Sequence, residues 1–177
     1  KASAKDYGII HLALHGILNK KSPVLSNLAF TEDSDSLENN FLHAYEVSKM
    51  ELNAELVVLS ACETGFGKFE KGNGIASLAR AFMYAGAASM IVSLWQVNDF
   101  ATSEIMQGLY DNLSSNMSKA EALRKAKLDY ISNSKGILAH PAFLSPFILI
   151  GNEEPISLSS NNNYYLWIGL ACLALGG

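Results

Sequence analysis

Two stretches constrain this fold most: Ile9-Ile10-His11-Leu12-Ala13-Leu14-His15-Gly16 and Leu56-Val57-Val58-Leu59-Ser60-Ala61-Cys62-Glu63-Thr64-Gly65. Each is a short apolar run that stops at a reactive side chain with glycine beside or near it. Both are too short and too continuously apolar for a helix with a wet face. They read as strands buried on both sides, the pattern of a parallel sheet in an α/β protein. Ligands of such sheets bind outside the carboxyl ends of the strands. If the two strands are neighbours, His15 and Cys62 converge on one rim, and an imidazole with a thiol is the minimum equipment of a cysteine hydrolase.

The remaining pattern supports that architecture. Strands are expected at 7–14, 56–61, 88–94 and 146–150. Between the second and third, Ile75, Leu78, Ala79 and Phe82 recur at helical spacing over 74–85, and Gly86 stands where a helix-closing glycine belongs. Strand, helix and strand with short joints form a right-handed unit whose strands run parallel. Two further helices are expected at 101–113 and 118–131, the second opened by the capping box Ser118-Lys119-Ala120-Glu121. His140-Pro141 breaks the chain before the last strand. Residues 19–53 are less regular, with a strand at 25–31, an acidic loop at 32–40 and a short helix around 43–50.

At 177 residues the chain suits one domain with a substantial core. Its net charge of −4 and scattered basic residues exclude a phosphate-tracking surface, so no direct nucleic-acid binding is expected. The densest basic group, Lys119, Arg124, Lys125 and Lys127, reads as the solvated face of a helix. Cys62 and Cys172 lie in unlike contexts, which argues against a disulfide and for a reducing, cytoplasmic compartment. The chain starts at Lys1 and runs almost directly into a strand, as a piece of a longer protein would. A polar linker at 153–163 precedes an uncharged segment at 164–177 headed by Tyr164-Tyr165-Leu166-Trp167. That segment is shorter than the roughly 20 apolar residues of a spanning helix, but its aromatic head suits an interface. It reads as the start of a transmembrane helix and a membrane tether.

His11 and His15 do not suggest a metal. Four residues along a strand cover about 13 Å, too far for two ligands of one zinc. His11 is expected inside, with its nitrogens hydrogen-bonded, and His15 at the strand end, where it reaches a substrate. The run from Gly65 to Gly74 lacks the order of a Walker loop or a dinucleotide fingerprint, so no cofactor is expected. It reads as a mobile flap beside Cys62. On residue chemistry alone, Cys62 is equally a small buried hydrophobe or a nucleophile whose thiol is acidified by a nearby helix start. Trp95, Gln96 and Asp99 follow the third strand and border the same rim. Trp95 serves either packing or a pocket wall, and Asp99 either a helix N-cap or the pocket.

Together the motifs resemble a known family. His-Leu-Ala-Leu-His-Gly at 11–16, Leu-Ser-Ala-Cys-Glu-Thr-Gly at 59–65, the glycine-led helix motif at 72–87, Ser-Leu-Trp-Gln-Val-Asn-Asp at 93–99 and His-Pro-x-Phe-x-x-Pro-Phe at 140–147 are similar to those of CHAT domains. These are caspase-like proteins related to separases and often attached to tetratricopeptide repeats. The resemblance covers roughly 7 to 152. It implies a caspase-like αβα sandwich with a mostly parallel central sheet, here the carboxyl-terminal part of a domain at 1–152 whose first strands lie upstream.

The resemblance also implies a cysteine endopeptidase. His15 corresponds to the catalytic histidine and Cys62 to the nucleophile, with the backbone N–H groups of Gly16 and Cys62 serving the oxyanion. Trp95, Gln96 and Asp99 would form the substrate pocket, and Gln96 departs from the acidic residue that separases carry there. The implied partners are a protein or peptide substrate and an upstream repeat domain or its ligand. Two other readings use the same scaffold: a catalytically silent CHAT-like module that binds peptides or signalling partners, and a thiol acyltransferase.

Overall fold

The computed structural model describes residues 4–19, 21–30, 40–60, 76–95, 98–156 and 167–170. The strands are β1 (Ile9–Ala13), β2 (His15–Ile17), β3 (Asn27–Ala29), β4 (Phe41–His43), β5 (Leu56–Leu59), β6 (Ser89–Ser93), β7 (Phe147–Gly151) and β8 (Trp167–Leu170). The helices are α1 (Ala44–Val47), α2 (Ala76–Tyr84), α3 (Asp99–Ser114) and α4 (Lys119–Asn133). The main sheet has the order β7-β6-β5-β1-β8, parallel throughout except for the antiparallel β6–β7 pair. A small antiparallel sheet, β2-β3-β4, stands apart from it. The chain is therefore an α/β protein, and the expected adjacency of the first two long strands is realised, with Ile9 opposite Leu56 and Leu12 opposite Leu59.

Each central strand feeds two cores because successive side chains leave a sheet on opposite faces. Val57, Leu59, Met90 and Val92 pack with Leu78 and Phe82 of α2 and with Leu28, Leu42 and Val47. Leu56, Val58 and Ile91 pack on the other face with Ile105 and Leu109 of α3, Ala122 and Ala126 of α4, and Phe147. All four residues of β5 are buried, as a strand covered on both faces requires. The result is three layers with the sheet in the middle.

The local signals hold. Gly86 follows α2 at φ 112°, and a Cβ there would lie 2.2 Å from the Leu52 carbonyl oxygen, so only glycine fits. Ser118 caps α4 by accepting from the Glu121 N–H at 3.2 Å. His140 accepts from the Ala142 N–H at 3.2 Å, so the residue that breaks the chain also caps the 3-10 turn Pro141–Phe143.

Three expectations change. The first strand ends at Ala13, and His15 opens β2, because 15–17 pair with β3 instead of prolonging the main sheet. The basic group on α4 is not uniformly solvated. Lys119 is fully buried with its ammonium donating to the Asn152 carbonyl at 3.3 Å, and the Lys127 ammonium donates to the Phe147 carbonyl. Burial lowers the pKa of both lysines, opposed at Lys119 by Glu55 and Glu154. Of the segment 164–177, expected to begin a membrane helix, the structure describes Trp167–Leu170, and these form a strand parallel to β1 instead of a helical turn. Among the described residues no helix is long and apolar enough to cross a membrane.

Candidate functional site

The carboxyl ends of β1, β5 and β6 lie side by side on one edge of the main sheet, the edge where α/β ligands bind. Just beyond the end of β1 stands His15, with its side chain exposed and its Cα opposite Ala29. Gly16 is buried beside it. The direction of its backbone follows from the ladder. Phe30 donates to the Asn40 carbonyl at 2.7 Å and Ala44 to the Ser26 carbonyl at 2.8 Å, so Leu28 bonds towards β4 while its neighbours Asn27 and Ala29 bond towards β2. His15 and Ile17 are then the bonded partners of β3, and the Gly16 N–H points away from it, along the outer edge of β2.

Beyond β5, the Ser60 N–H donates to the Leu12 carbonyl at 3.1 Å, which carries the pairing with β1 one residue further. Cys62, the proposed nucleophile and second oxyanion donor, lies outside the described residues, as do the 65–74 flap and Gln96. Beyond β6, Trp95 is half-buried and its indole N–H donates to the Ala142 carbonyl at 3.0 Å. It ties the end of β6 to the segment before β7, a packing role. Asp99 is exposed in the first turn of α3, and the cap is its neighbour: the Asn98 side chain accepts from Phe100 at 3.0 Å and Ala101 at 3.4 Å. Asp99 favours the helix dipole from there without closing the turn.

Behind the rim, His11 sits between two hydroxyls. Its Nε2 is 2.9 Å from Ser60 Oγ and its Nδ1 is 2.9 Å from the Tyr110 hydroxyl of α3. Desolvation pushes its pKa down to about 4, and burial raises that of Tyr110, so both are neutral near pH 7. In a neutral imidazole one nitrogen donates and the other accepts, so both hydroxyls are satisfied by a single tautomer. The expected interior role of His11 is what the structure shows. Sequence reasoning missed Tyr110 and Ser60 as its partners. A histidine inside an apolar strand signals that polar partners exist, but not where they come from. Among the described residues no cluster of His, Cys, Asp and Glu could hold a metal ion.

A profile of the CHAT domain matches residues 1–152. Tetratricopeptide repeat protein 28 of Homo sapiens is 30% identical over 129 residues, covering 73% of this chain and 5% of that protein. Its Mus musculus counterpart is 28% identical over 136 residues, covering 77% of this chain and 5% of the relative. The chain thus spans only a small part of the length of the curated relatives it matches. Because that profile covers most of its length, the chain belongs to the caspase-like CHAT domain family.

Proposed function

We propose that this chain is a cysteine endopeptidase domain that cleaves a protein substrate through His15 and Cys62, under control of a repeat domain in the same protein. The observation that carries the reading is the parallel pairing of β1 with β5, because it puts the segments leading to His15 and Cys62 on one sheet edge. In the proposed reaction the Cys62 thiolate attacks the scissile carbonyl carbon. The Gly16 and Cys62 N–H groups hold the oxyanion, and the C–N bond breaks as His15 protonates the leaving amine. Water then attacks the thioester with His15 as base, releasing the acid and restoring the thiol. A thiol needs no third orienting residue, since a few per cent is thiolate at neutral pH. Trp95, Gln96 and Asp99 would border the substrate, in a cytoplasmic setting. The tetratricopeptide-repeat relatives support the repeat-domain control.

The test is labelling with a thiol-directed peptidyl electrophile, comparing wild type, His15→Ala and Cys62→Ala by intact mass. A single adduct, absent in Cys62→Ala and slowed at least about tenfold in His15→Ala, is expected of an activated dyad. Labelling at the same rate without His15 would remove the dyad. A biological output that survives Cys62→Ala would favour a peptide-binding scaffold instead.

A further inference from the structure

The small sheet has one dry face and one wet one, and His15 stands on the wet one. Residues directly opposite one another in a ladder leave the sheet on the same side. Gly16, Leu28 and Leu42 form one such row, and Leu28 and Leu42 are buried in the core. The rows on either side of it, His15–Ala29–Phe41 and Ile17–Asn27–His43, therefore share the opposite face. That face turns apolar surface to water, with Ile17 48% and Phe41 39% exposed. It continues beyond β4 into α1. There the His43 ring stacks on Tyr45 at 5.3 Å between centroids and lies 6.4 Å from the ring of Phe41. Tyr45 is 41% exposed.

The chemistry of the dyad says what crosses this face. The outward Gly16 N–H would hold the scissile carbonyl oxygen at the outer edge of β2, in the plane of the small sheet. The leaving nitrogen takes its proton from the His15 ring, above the wet face. A substrate held at both points therefore rises from the edge onto that face with the residues that follow the scissile bond. Two strand spacings, about 10 Å, separate His15 from Phe41, the reach of roughly three extended residues. Neither exposed row holds a carboxylate or an ammonium group, so an apolar side chain settles there without desolvating one. An incoming ring also finds aromatic edges and faces to pack on. We infer that the wet face of β2-β3-β4 binds the leaving half of the substrate and selects an aromatic or large aliphatic side chain two to four residues after the scissile bond, against Ile17, Phe41 and Tyr45, an assignment that rests on the His15–Cys62 dyad proposed above.

The test is digestion of a proteome-derived peptide library with the 177-residue chain, with Cys62→Ala as the blank and cleavage sites read by mass spectrometry. Aromatic and large aliphatic residues are expected at one of the second to fourth positions after the bond, enriched at least about fivefold over the library. Phe41→Thr and Ile17→Thr keep a strand-forming side chain at exposed positions. Each should bring that enrichment down towards unity, while the residues favoured before the bond stay as in the wild type. Either variant suffices if the other does not fold. Cleavage that depends on Cys62 but shows no preference after the bond overturns the inference and leaves the dyad standing. So does a preference that the variants retain, or a loss of selectivity on both sides of the bond, as general disturbance of the site would give. No Cys62-dependent cleavage removes the dyad itself, and the assignment of this face with it.

Discussion

His11 is a half-buried base that folding keeps unprotonated, so it couples stability to pH. The unfolded imidazole takes its proton near 6.5 and the folded one only near 4. Between those values the unfolded state binds more protons, so the stabilisation is complete above 6.5 and is lost as pH falls towards 4, by about 3 kcal/mol in all. Denaturant titrations from pH 7 to 4 should show this slope in the wild type and a much flatter one in His11→Gln. An unchanged slope would assign the acid sensitivity to other groups. Tyr110→Phe leaves the ring and removes one hydrogen bond to the same imidazole. It should cost about 1–3 kcal/mol, with the orphaned Nδ1 setting the upper end. That His11 would be interior and bonded was legible from a polar residue in an apolar strand. That its partner is Tyr110 was not, because 99 residues separate them.

At the scale of elements, helix ends separate strain from chain entropy. Gly86→Ala forces a Cβ onto the Leu52 carbonyl oxygen at a φ of 112°, and should cost more than about 2 kcal/mol. Gly136→Ala, at φ 61° with nothing within 4 Å, keeps only the backbone penalty and should cost about 1 kcal/mol. Urea midpoints of the two variants test the ranking, and equal losses would mean that the Leu52 loop moves aside. Asn98→Ala removes the cap of α3 and should cost about 1 kcal/mol, whereas Asp99→Ala should cost less, which separates the cap from its neighbour. Helix starts and stops were legible to within a few residues, because caps and periodicity are local. The break at Leu14 was not: an apolar run does not say where one sheet hands over to another, and the pairing of β2 with β3 decides it.

For the whole molecule, one sheet serves two cores through adjacent residues of the same strands, so neither core can melt alone. Phe82→Ala on one face should cost about 3–5 kcal/mol and Ile105→Ala on the other about 2–5 kcal/mol. Each should lower a single transition seen alike by tryptophan fluorescence and far-ultraviolet circular dichroism; two separated transitions in either variant would mean that the faces unfold independently. The sequence by itself determined the α/β class, the parallel neighbours β5 and β6, the helices between and after them, and the rim to which His15 belongs. It could do so because burial on both faces, helical spacing and capping residues leave their mark within a few positions. Only the tertiary structure decided that Lys119 is buried, that Tyr110 and Ser60 hold His11, that β7 runs antiparallel, and that Trp167–Leu170 pair with β1. Those outcomes depend on which distant groups meet. A local pattern records that a side chain is buried or a strand is paired, while its partner is set by the packing of the whole chain.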